Sequence, residues 1–205
     1  ITLQLKLANS WTNYPLNFHE LTSEISETIY EKESVSVETL PLDHRVYTNG
    51  FLFTSRSSCR KINSKAINGL NLKPYHFDQL KKGLSILLED GTNIKNNELT
   101  FDPEKPKRYA YCSDTSYNRD LIPLIKQVDL LYHESTFLEK DIDLAEKTKH
   151  STAIQAAKIA KEAKVKKLIL GHYSSRYIDK NIFFNEASTI FKDVDLSEDF
   201  KTFLV

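Results

Sequence analysis

The chain has 205 residues, enough for one sizeable domain, with 28 basic and 28 acidic side chains and a formal net charge of zero. That balance argues against an indiscriminate polyanion binder, and the lack of any run of about 18 apolar residues excludes a membrane-spanning helix. The two cysteines, Cys59 and Cys112, make neither a disulfide framework nor a CxxC site; they fit a reducing compartment, read here as the cytoplasm, and Cys112 reads as a buried thiol. Basic charge is nonetheless concentrated. Residues 56–82 hold seven basic side chains against one acid, Asp78, so this segment carries +6 and the remainder −6, and a polyanion would be drawn to it. The chain starts at Ile1 and contains no methionine, so further sequence is expected before Ile1.

In chain order, residues 1–10 read as the tail of a helix, and residues 11–20 as an aromatic connection with His19 at the surface. Val35 and Val37 alternate with polar neighbours, predicting a half-buried strand over residues 34–39 that Pro41 stops. Asn49-Gly50 is a turn signal, which leaves His44 in a loop between strands. Residues 54–82 show no sustained period and read as an arm or insertion outside the core, bounded at 55–83. A small hairpin around Asp90-Gly91 follows, and then a polar stretch over residues 96–107.

From Arg108 the pattern tightens. Strands are expected over residues 109–113, 128–132 and 165–170, with a helix over residues 119–127. A further helix opens at Thr152, where Thr152 and Gln155 have the spacing of a capping box. The three strands end in Asp114, in His133-Glu134 and in Gly171-His172. Short right-handed crossovers place such ends along one sheet edge, where ligands bind. His and Asp without thiolates form a nitrogen and oxygen donor set that suits Zn²⁺, or Mn²⁺ and Fe²⁺. Asp114 can bridge two ions, with His44 and His172 serving one each. His133, Glu134 and His150 suit proton transfer better, a carboxylate orienting an imidazole.

Four linked motifs, Ser113-Asp114-Thr115, His133-Glu134-Ser135-Thr136, His150-Ser151-Thr152 and Gly171-His172-Tyr173-Ser174-Ser175-Arg176-Tyr177, resemble in order and spacing the C-terminal motifs of ribonuclease Z, the tRNA 3′-processing endonuclease of the metallo-β-lactamase fold. Pro41-Leu42-Asp43-His44 with Gly50-Phe51 resembles the preceding motif of that family. Ser135 stands where alanine is commoner, and the family's HxHxDH signature is absent from these residues.

The resemblance implies an α/β fold, the αββα sandwich, with its N-terminal part expected before Ile1 together with the missing ligands. It implies a metal-dependent endoribonuclease that removes the 3′ trailer from precursor tRNA by two-metal phosphodiester hydrolysis, with two zinc ions per complete subunit. His44, Asp114 and His172 would be ligands. Glu134 and His150 would shuttle protons, with His133 shaping the entrance. Ser174 and Arg176 would hold phosphate oxygens. The segment over residues 56–82, with Lys73, Lys81 and Lys82, falls where bacterial members carry an arm that grips tRNA, although the arm's glycine is not beside Lys73-Pro74. A homodimer with no membrane attachment is implied. The rivals are a small-molecule phosphodiesterase of the same superfamily and a non-catalytic RNA-binding paralogue.

Overall fold

Side-chain burial alternates along two strands of the sheet, Thr48–Ser55 and Arg108–Cys112, and is nearly continuous along two others, Leu130–Glu134 and Lys167–Gly171; an alanine-rich helix closes over one side. The computed structural model describes residues 2–32, 34–56 and 59–205. Helix α1 (Thr2–Leu7) leads to β1 (Thr28–Glu31), β2 (Val35–Leu42) and β3 (Thr48–Ser55). A separate unit follows: β4 (Lys61–Ile62), α2 (Pro74–Lys81), β5 (Ile86–Leu87), β6 (Asn93–Ile94), α3 (Asn96–Leu99) and β7 (Thr100–Phe101). The chain then returns through β8 (Arg108–Cys112), α4 (Leu121–Leu124), β9 (Leu130–Glu134), a 3₁₀ turn (Glu139–Asp141), α5 (Ile142–Thr148), α6 (Ala153–Ala163), β10 (Lys167–Gly171), α7 (Asn181–Ser188) and β11 (Val194–Leu196).

Seven strands form one sheet in the order β1-β2-β3-β8-β9-β10-β11. β1, β2, β3 and β8 pair antiparallel, whereas β8, β9, β10 and β11 run parallel. β2 and β8 therefore point the same way on either side of β3. The connection over residues 43–47 lies on the edge where β8, β9 and β10 end, and that coincidence assembles the site.

The strand period of two explains the layers. Ala110, Cys112, Leu131, Leu168 and Leu170 face a core completed by Ala153, Ala156, Ala157, Ile159, Ala160 and Ala163 of α6. Alanines let that helix sit close to the sheet. On the other face Phe53 stacks on Tyr109 at 5.7 Å and Tyr111 on Tyr132 at 4.7 Å between centroids. The α6 capping box forms as predicted: Gln155 N–H donates to Thr152 Oγ1 at 3.1 Å and Thr152 N–H to Gln155 Oε1 at 2.9 Å. Cys112 is fully buried, and burial pushes its thiol up to about 12, so it stays protonated and inert.

Four expectations need correction. β2 runs through Pro41, because Thr39 N–H points outward to Glu27 O at 2.9 Å and the nitrogen two residues on points the same way, beyond the last β1 pairing at Glu38. The missing N–H of Pro41 thus falls on an open edge. Asn49-Gly50 is not a turn but part of β3, and a Cβ on Gly50 would lie 2.4 Å from Tyr111 O. Glycine is there for close approach, and the turn lies before it. The helix expected over residues 119–127 is a single turn, Leu121–Leu124, containing Pro123. The segment over residues 55–83 is only part of a unit that closes when β4 pairs with β7, around a small core of Leu80, Ile86 and Leu99.

Candidate active site

Three loops meet at one edge of the sheet, and each arrives in a conformation that L-residues seldom adopt. Asp114 after β8 has φ 62°, Lys149 at the end of α5 has φ 60° and His172 after β10 has φ 58°. At Asp114 and His172, just past strand ends, such a backbone costs about 1–3 kcal/mol each, whereas at Lys149 it is the left-handed cap that ends α5, as Lys164 ends α6.

The donor atoms of Asp114, Glu134, His150 and His172 lie within 4.8 Å of one another. His172 Nε2 is 3.4 Å from Asp114 Oδ1. His44 approaches from the β2–β3 connection, its ring centroid 5.0 Å from that of His150, which in turn lies 5.3 Å from His172. Three imidazoles therefore stand side by side. Each is held from behind at Nδ1: His44 by Lys149 O at 2.8 Å, His150 by Glu134 Oε1 at 2.8 Å, and His172 by Thr136 Oγ1 at 2.8 Å. Carbonyl and carboxylate oxygens only accept, so His44 and His150 donate from Nδ1 and leave Nε2 for a ligand or a substrate.

Glu134 is the hub. Its side chain is fully buried, and Oε1 accepts from Thr115 N–H at 2.7 Å and from His150, while Oε2 accepts from Thr136 Oγ1 at 2.5 Å and Ser151 N–H at 3.1 Å. A carboxylate offers about four lone-pair directions, and the protein uses all of them. Glu134 sits among the possible ligands but has nothing left to give a metal. Burial pushes its carboxyl upward, yet the hydrogen bonds from His150 and Thr136, the His150 charge and the Ser151 amide outweigh burial and hold it below the usual range. Conversely, the hydrogen bond to Glu134 raises His150 against its own burial, with the charges of Glu134 and Asp114 adding.

The residues present fit a divalent ion. In a neutral His172 that donates from Nδ1, the Nε2 lone pair faces the Asp114 carboxylate across 3.4 Å, two acceptors whose arrangement a shared cation satisfies. His44 and His172 pinned at Nδ1, with Asp114 beside them, match the way metal-bound imidazoles are oriented by outer partners.

Other predicted residues are placed as follows. Arg176 is exposed, stacks 5.1 Å over the Phe137 ring and donates from Nε to Ser174 Oγ at 3.2 Å; Phe137 in turn meets His150 edge-on at 6.3 Å. Both thus flank the imidazoles. His133 does not shape an entrance: it is fully buried, its Nδ1 donating to Glu134 O at 2.7 Å and its Nε2 without a hydrogen-bond partner among the described residues. Lys73 caps α2 and pairs with Glu89, and Arg56, Arg60 and Lys61 pair with Glu31, Asp102 and Glu104. Lys81 and Lys82 stay exposed, and with Lys65 they carry no ion pair among the described residues. The orienting groups leave little trace in the sequence: Thr136 is one letter of a motif, and a backbone carbonyl such as Lys149 O leaves no sequence signal.

Among known proteins, the chain is 46% identical over 208 residues to the ribonuclease Z of Cytophaga hutchinsonii, covering 100% of this chain and 66% of the relative. It is 40% identical over 199 residues to the ribonuclease Z of Phocaeicola vulgatus, covering 97% and 64%. Over the stretch it spans, the chain belongs to the ribonuclease Z family. That stretch is about two thirds of the length of these relatives. No protein-family model matches. In structure the chain is similar to YhfI of Bacillus subtilis, a metallo-β-lactamase fold protein, with TM-score 0.54, 18% identity and coverage of 84% of this chain and 50% of that one. It is also similar to the short form of human tRNase Z, with TM-score 0.51, 22% identity and coverage of 87% and 46%. The fold is the metallo-β-lactamase fold, and the ribonuclease Z motifs surround the three imidazoles.

Proposed function

We propose that the protein containing this chain is a metal-dependent endoribonuclease that removes the 3′ trailer from precursor tRNA. The observation that carries the reading is the joint placement of Asp114, His172 and His44 beside the Glu134–His150 pair, in a chain 46% identical to a ribonuclease Z. His44, Asp114 and His172 would hold the metal, zinc by its fondness for this nitrogen and oxygen set, with Mn²⁺ and Fe²⁺ as substitutes and two ions per complete subunit. A divalent ion bound there would offset charge gathering on the phosphoryl oxygens and ready a water as nucleophile.

The remaining steps belong to the chain itself. His150, kept protonated by the buried Glu134 carboxylate, gives the Nε2 proton to the departing 3′ oxygen, and Glu134 steadies the charge through the exchange. Ser174 and Arg176 hold phosphate oxygens, the guanidinium fixed by its stack on Phe137. Lys81 and Lys82 carry the free positive charge of the arm and meet the tRNA backbone, with Lys73 joining if it leaves Glu89. The products are tRNA with a 3′ hydroxyl and a trailer with a 5′ phosphate, made in the cytoplasm by a homodimer.

The full-length protein incubated with a 3′-extended precursor tRNA should release those two ends, and EDTA should stop it. Intact precursor in the presence of Zn²⁺ or Mn²⁺ would overturn the reading.

A further inference from the structure

Thr136 occupies an unusual junction. Its hydroxyl oxygen lies 2.5 Å from Glu134 Oε2 and 2.8 Å from His172 Nδ1, and no other side chain among the described residues is hydrogen-bonded to both the carboxylate hub and that imidazole. A hydroxyl has one hydrogen and can donate only once. Glu134 is held ionised by the Thr115 and Ser151 amides and by His150, so it can only accept, and the Thr136 hydrogen must go to Oε2. The oxygen then faces His172 with lone pairs alone. His172 must be the donor, its proton on Nδ1 and its Nε2 bare toward Asp114.

We infer that Thr136 is a positioning residue that fixes the Nδ1–H tautomer of His172 and so commits Nε2 to the metal. The backbone keeps the hydroxyl in place: Thr136 N–H leans toward Glu134 Oε2 at 3.4 Å, Thr136 O accepts from Ser174 N–H at 3.1 Å, and the residue is 7% exposed. The strained φ of 58° at His172 is consistent with a ring presented at a set angle, which a partner at Nδ1 then locks. The consequence is a division within one network. Glu134 orients the proton-transfer imidazole directly through Oε1 and the metal-facing imidazole through a single hydroxyl on Oε2. This inference rests on the metal-site reading of His172, and its first readout needs neither metal nor tRNA.

The test compares Thr136→Val, which keeps the shape and loses the hydroxyl, with Thr136→Ser, which keeps the hydroxyl and loses the methyl. In the full-length, metal-free protein labelled with ¹⁵N-histidine, long-range ¹H–¹⁵N correlations report which nitrogen of His172 carries the proton. Wild type and Thr136→Ser should show Nδ1–H, and Thr136→Val should show Nε2–H or a mixture. Cobalt(II) titration followed by visible absorption should then give an affinity lower by about 10- to 100-fold for Thr136→Val, with Thr136→Ser close to wild type. An unchanged His172 tautomer in Thr136→Val overturns the inference even if metal affinity falls, because the loss would then be structural. Failure of Thr136→Ser to restore both readouts overturns it as well. A normal tautomer pattern in a protein that does not cleave precursor tRNA would instead leave this inference standing and sink the proposed activity.

Discussion

Glu134 shows how one buried carboxylate can govern two imidazoles without binding metal or substrate. Its four acceptor directions are all filled from within the protein, so the ring of His150 is its outlet to the site. The charge pairing also couples to pH. The Glu134 carboxyl is depressed in the folded state, so its contribution to stability is present above its unfolded value and lost as pH falls through the folded one. His150 is raised, so its contribution is complete below the ordinary value of 6.5 and lost as pH rises through the folded value. Urea midpoints of metal-free wild type and His150→Asn should therefore differ most just below pH 6.5 and converge on the alkaline side. A constant difference across that range would show that the imidazolium–carboxylate pairing contributes nothing. His172 is legible because a histidine just past a buried run is conspicuous; His133, next to Glu134 in the same motif, faces the core instead because one residue along a strand reverses the face.

Among the elements, β3 sets how closely the antiparallel and parallel halves of the sheet meet. Gly50 has no room for a side chain, since an added Cβ would sit 2.4 Å from a backbone oxygen of β8 that cannot swing aside. Gly50→Ala should lower stability by about 1–3 kcal/mol in denaturant titration. It should also weaken metal binding, because the displaced β3 carries the His44 connection with it. Stability equal to wild type would mean that β3 and β8 separate at no cost. Sequence spacing placed His44 between strands for a partly mistaken reason, reading Asn49-Gly50 as the turn when the glycine serves strand packing. The parallel strands β8, β9 and β10 lie within about two residues of their expected ranges, because apolar runs flanked by polar ends are the strongest signal available. Strand β11 and helices α5 and α7 were not anticipated. β11 has only three residues, too few to show a period, and α5 and α7 are short.

At the scale of the molecule, the unit between β3 and β8 is a separable appendage. Ser55 N–H donates to Lys107 O at 2.8 Å, and Lys107 N–H to Ser55 Oγ at 2.7 Å, so the two ends of the excursion touch. Its apolar residues close on themselves around Leu80, Ile86 and Leu99. Replacing residues 57–105 by a short glycine-serine link should leave the sheet folded. Removing residues 56–82 alone would strip α2 and β4 from the small core and expose Ile86 and Leu99. The full replacement should cripple precursor tRNA cleavage while sparing a small phosphodiester; equal losses on both would favour a small-molecule phosphodiesterase. The sequence overstated the basic charge on offer, since four of the seven cations are paired with acids outside the segment. Those acids lie far away in sequence, where composition counting cannot match them to partners. The most direct test of the division between metal holding and proton transfer measures bound metal and precursor tRNA cleavage side by side for Asp114→Ala and His150→Ala in the full-length protein. Asp114→Ala should lose both, and His150→Ala should keep its metal while cleavage falls by about 10²- to 10⁴-fold; normal cleavage by His150→Ala would contradict the account.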